Sequence, residues 1–120
     1  MNPVRRDGTS GKSQWRVSRQ DEIRCFDGAR ASNWLVGPVG WGLHLSAGVP
    51  DYLGVARDHQ SRVFVAKFTG EQNVWHGYPA DHRRNHRDIP TESVLADWMR
   101  EGLLARATVR KLTRGQPCRL

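Results

Sequence analysis

Cysteine and lysine are the scarcest informative residues of this sequence. There are two cysteines, Cys25 and Cys118, and three lysines, Lys12, Lys67 and Lys111. Two cysteines cannot build a disulfide scaffold, and they form no metal-binding or redox motif. They pair only if distant parts of the chain meet. Long apolar runs are also missing: nothing approaches the roughly 18 apolar residues of a membrane span. Arg5 and Arg6 have no apolar run behind them, so the N-terminus does not read as a secretory signal. No membrane partner and a cytoplasmic location with reduced thiols are the expectation. No HExxH pattern occurs. The stretch Gly37-Pro38-Val39-Gly40-Trp41-Gly42 lacks the Gly-Lys-Ser/Thr that would make it a phosphate loop, and a strand follows it rather than a helix. Neither a metal nor a cofactor is expected.

What is present is arginine and tryptophan. The 120 residues suit one domain, and 38% are hydrophobic, with five Trp supplying much of the core mass. Nineteen Lys and Arg face twelve Asp and Glu, a net charge of +7. Arginine offers a planar fork of donors suited to phosphate and carboxylate. A surface so charged attracts polyanions, nucleic acid first among them. An arginine on every solvated face, without function, is the plain alternative. Residues 31–60 carry one cation and two anions, whereas residues 91–120 carry six cations and three anions. Positive charge therefore gathers at the ends and in one middle loop.

Residues 1–20 are polar and without periodicity, with Trp15 and Val17 the only sizeable apolar residues beyond Val4. They read as a flexible basic tail ahead of a single domain over 21–120. Trp34-Leu35-Val36 precedes a Gly37-Pro38 turn. From Val39 to Leu45 apolar residues alternate with Gly40, Gly42 and His44, which predicts a strand whose bare face admits close backbone approach or a ligand. Tyr52–Ala56 reads as a short strand and Arg57–Gln60 as a turn. Val63–Phe68 is apolar on both faces, as in a central strand, with Phe64, Ala66 and Phe68 sharing one side. Residues 69–73 turn the chain into a returning strand, Val74–Tyr78.

A polar loop over Ala80–Asp88 follows. Thr91 is placed to cap a helix running to about Glu101, with Val94, Leu95, Trp98, Met99 and Leu103 on one face and Gly102 behind it. Ala105, Ala107 and Val109 alternate with Arg106, Thr108 and Arg110, which predicts a last strand. The expected architecture is α+β: a small, mainly antiparallel sheet of short strands, one C-terminal amphipathic helix packed on it, and a disordered N-terminal tail.

Four groups of side chains bear on function. The first is the basic loop: Arg83, Arg84 and Arg87, extended by Arg106, Arg110, Lys111 and Arg114, is the candidate nucleic-acid surface. A solvated loop and a wet sheet face are its plain alternative. The second is histidine. His76, His82 and His86 lie close in sequence, but their spacing builds no metal site and ordinary surface histidines explain them. With Tyr78 and an arginine they supply the residue types of a metal-independent ribonuclease, although no spacing rule makes them converge. The third is aromatic: Trp41 and Trp98 are expected in the core, while Trp75 and Tyr78 stay open between core packing and base stacking. The fourth is the glycine-rich stretch, for which close packing outweighs nucleotide binding. The leading expectation is a non-catalytic module binding an acidic partner, most of all nucleic acid. A protein-protein interaction or regulatory module meeting an acidic protein is the alternative, and the small ribonuclease is third.

Overall fold

A computed structural model describes residues 12–120. Residues 1–11 of the expected tail lie outside the described residues. The remainder of that tail is structured, a correction to the boundary at residue 20. Gln14–Trp15 forms strand β1, and Ser18 caps a helix α1 over Arg19–Ala31. Ser18 Oγ accepts from the Asp21 amide at 3.1 Å, satisfying one of the unpaired donors of the first turn.

The strands that follow are β2 (Leu35–Val36), β3 (Val39–Ser46), β4 (Val49–Asp51), β5 (Gly54–Val55), β6 (Arg62–Val63), β7 (Val65–Glu71) and β8 (Val74–Pro79). Two helices end the fold, α2 (Glu92–Arg100) and α3 (Arg106–Thr113). The protein is α+β. All strand pairs among the described residues are antiparallel: one sheet runs β2-β3-β7-β8 with β4 also on β3, and a smaller one runs β1-β5-β6. Tight turns carry the hairpins. Gly37 has φ +62° between β2 and β3, and Gln72 and Asn73, both at positive φ, join β7 to β8.

β7 is central, as its two apolar faces predict, and helices cover both sides of it. On one face Trp41, Leu43 and Val65 meet Val94, Leu95 and Trp98 of α2 and Val109 and Leu112 of α3. Trp34 meets Trp98 edge-on, with ring centroids 5.6 Å apart. The other face takes α1. The bare side of β3 serves close approach, since a Cβ on Gly42 would stand 2.8 Å from the Cys25 carbonyl oxygen. Phe26 of α1 packs on Phe68 and Trp75 at 5.1 and 5.4 Å. Cys25 and Cys118 are free and pack against different core clusters. Burial pushes the Cys25 thiol up to about 12, so it stays protonated.

Three sequence expectations change. Phe64 does not share a side with Ala66 and Phe68. The chain leaves the small sheet at Val63 and enters the large one at Val65, and the irregular residue between them shifts the alternation, so Phe64 packs with the Trp41 cluster. Thr91 occupies the cap position of α2, but its side chain makes no capping hydrogen bond. The last strand is helix α3: Ala, Arg, Lys and Leu are strong helix formers, and the buried anchors are Val109 and Leu112, three apart.

Candidate nucleic-acid interface

The basic loop is held from beneath by buried charge. Register places Lys67 of β7 between Trp41 and Tyr78, on the face that packs against α2 and α3. Lys67 is 8% exposed, and its ammonium lies 5.4 Å from the Trp41 ring centroid. It donates to the Arg87 carbonyl at 2.7 Å and sits 3.5 Å from Asp88 Oδ1. Tyr78 donates its hydroxyl to the same Oδ1 at 3.1 Å, while the Asp81 amide donates to Asp88 Oδ2 at 2.9 Å. Asp88 thus closes the loop back onto Asp81, and Lys67 fastens the loop to the sheet. Removing one member would strand a buried charge, which is far costlier than loss of a surface pair. Burial, then the Asp88 charge and hydrogen bond, raise the Tyr78 pKa above its ordinary value, so its hydroxyl remains a neutral donor.

The arginines of the loop have different surroundings. Arg83 donates from its amide and Nε to Asp81 Oδ1, at 3.3 and 3.2 Å, and its guanidinium stands 3.7 Å from Asp58 Oδ2. Asp58 is itself fixed by Ser61 and Gln60, whose hydrogen bonds hold its carboxyl below the usual range. The charge of Arg83 is therefore locally compensated. Arg84 and Arg87 are exposed and form no salt bridge among the described residues. Arg106, Arg110 and Lys111 project from α3, and Arg114 caps it; all four are exposed. On a helix, the spacing 106, 110, 114 aligns three guanidinium groups along one side. Residues 102–120 hold five cations, Arg119 included, and no Asp or Glu. That acid-free stretch was legible in the sequence, and charge counted in blocks of thirty hides it.

His82 brings the two basic segments together. It is buried, its Nε2 donates to the Gln116 carbonyl at 2.7 Å, and Cys118 Sγ lies 3.8 Å away. Burial lowers its pKa, outweighing the Gln116 hydrogen bond. His76 on β8 and His86 in the 3-10 turn over His86–Asp88 are exposed. Among the described residues no three His, Cys, Asp or Glu side chains are placed to hold a metal ion. No described helix is long and apolar enough to cross a membrane. Trp41 and Trp98 are core residues, and Trp75 is half-buried against Phe26.

A cavity of about 520 Å³ opens beside the loop. Lys12, Arg57, Arg84, Tyr78, Asp81 and Asp88 line it with Ser13 and Asn85. Lys12, Arg57, Asp81 and Asp88 were not among the residues read as functional. Lys67, which holds this region, did carry a signal: a cation in the middle of a strand with two apolar faces needs a buried partner. No protein family, characterised protein or solved structure matches this chain significantly.

Proposed function

We propose that this protein is a non-catalytic, cytoplasmic module that binds nucleic acid by phosphate contacts. Arg84 and Arg87 of the loop and Arg106, Arg110, Lys111 and Arg114 of α3 are the contacting groups. The observation that carries this reading is the acid-free stretch 102–120, exposed on α3 and joined to the basic loop by the His82–Gln116 hydrogen bond. Arg83 has a supporting role, because Asp81 and Asp58 already neutralise it. The ribonuclease reading gains no support from His82, which is buried and tied to a carbonyl, or from Tyr78, which resists ionisation.

The test is a titration of labelled generic DNA and RNA at several salt concentrations. Affinity should fall as salt rises, by a slope near −0.9 per phosphate neutralised on duplex DNA. Replacing Arg106, Arg110 and Arg114 together by Ala should flatten that slope by up to about three units, with little dependence on base sequence. Absence of binding near about 0.15 M salt, or an unchanged slope in the triple variant, would overturn the proposal and favour an acidic protein as partner.

A further inference from the structure

We infer that the buried pair of Lys67 and Asp88, together with Tyr78, positions Arg84 and Arg87 for polyanion binding by fixing the main chain that carries them. All three act through those arginines and are positioning residues. This rests on the nucleic-acid reading of the loop. Stability alone does not account for the arrangement. Lys67 and Asp88 are 8% and 5% exposed, and exchanging such a buried ion pair for well-packed apolar residues is often neutral or stabilising. What the pair supplies is a fixed place for the loop.

The contacts lead from the sheet to the loop backbone. Lys67 and Tyr78 face each other across β7 and β8, so two adjacent strands hold the anchor. Lys67 Nζ donates to the Arg87 carbonyl at 2.7 Å, Tyr78 donates to Asp88 Oδ1, and Asp88 Oδ2 accepts from the Asp81 amide at 2.9 Å. Within the loop, the Asp81 carbonyl accepts from the amides of Arg84 and Asn85 at 3.3 and 3.2 Å. Asn85 Oδ1 accepts from the Arg87 amide at 3.0 Å, and the Asn85 carbonyl accepts from the Asp88 amide at 2.9 Å. The main chain is therefore tied at 81, 84, 85, 87 and 88. The side chains of Arg84 and Arg87 are exposed and form no salt bridge among the described residues. A fixed backbone bearing two uncompensated guanidinium groups loses less conformational freedom when phosphates bind than a loose one does.

Two variants disturb the anchor and keep the net charge: Lys67→Met combined with Asp88→Asn, and Tyr78→Phe. Titration of the whole protein with labelled generic duplex DNA at several salt concentrations reads affinity and salt slope separately. Affinity should fall about tenfold in the first variant and about threefold in the second, at every salt concentration. The slope should not change, because the phosphate contacts are the same in number. Arg84→Ala combined with Arg87→Ala should instead flatten the slope by about two units. Amide exchange over residues 84–88 should quicken in both anchor variants and not in the arginine variant. Tyr78→Phe keeps the ring and the buried ion pair, and serves if the double variant fails to fold. A merely structural anchor would lower the denaturant midpoint and leave the affinity of the folded protein as it was. Wild-type affinity in the folded anchor variants, or unchanged exchange over 84–88, overturns the inference and leaves the interface standing. No binding by the wild-type protein overturns the interface, and the positioning role with it.

Discussion

The imidazole of His82 ties the start of the basic loop to the chain that follows α3, and its burial turns its protonation into a stability switch. Its folded pKa is lowered from 6.5, so the unfolded chain binds the proton more readily. Its contribution is complete above the unfolded value and is lost as pH falls through 6.5 and below. The thermal midpoint should therefore hold above about pH 7 and decline towards pH 5. His82→Gln should remove that part of the slope, and scans of both proteins at stepped pH decide it. Asp58 has the same sign in a lower window: its folded carboxyl titrates below the usual range, so its stabilisation is lost only as pH drops through the acid region. Gly42 shows a different constraint at the same scale. With the Cys25 carbonyl oxygen 2.8 Å from where its Cβ would stand, Gly42→Ala must push α1 off the sheet. The expected cost is about 1–3 kcal/mol, read as a lower denaturant midpoint. An unchanged midpoint would show that α1 is not seated as described.

Among the elements, α2 was the most legible, because Val94, Leu95 and Trp98 repeat at helical spacing and Gly102, at φ +73°, ends the run. Trp98 has no exposed surface. Trp98→Ala should cost about 3–5 kcal/mol in urea unfolding, and a midpoint near wild type would contradict the packing of α2 on the sheet. The hairpin of β7 and β8 was equally readable from its apolar runs and turn residues. Two helices were not. α1 buries mainly small residues, Cys25 and Ala29, so it lacks an apolar stripe, and only Ser18 with Asp21 three positions on marks its start. α3 is short, and small residues at 105 and 107 imitate a strand's alternation. The candidate site was half legible. The arginines stand out in the sequence, but the second partner of Arg83, Asp58, is brought near by a distant turn. The buried Lys67–Asp88 pair joins residues of different elements, and local periodicity is blind to such a meeting.

At the scale of the molecule the first and last helices differ in charge. α1, on the Gly42 face, holds Arg19, Arg24 and Arg30 against Asp21, Glu22 and Asp27, and two of those pairs form salt bridges along the helix. α3, on the Trp41 face, has three cations within its span and no acid to oppose them. Surface potential follows uncompensated charge, and exposed charges are screened beyond about 8–10 Å at ordinary salt. A polyanion should therefore meet α3 and the loop and leave α1 bare. Amide hydrogen exchange, with and without a generic duplex, maps that contact. Slower exchange is expected over residues 84–87 and 106–119 and no change over 19–31. Raising the salt should erase the difference, because each phosphate contact depends on counterion release. Protection centred on α1, or spread evenly over the molecule, would place the partner elsewhere and remove the assignment of Arg106, Arg110 and Arg114 as phosphate contacts.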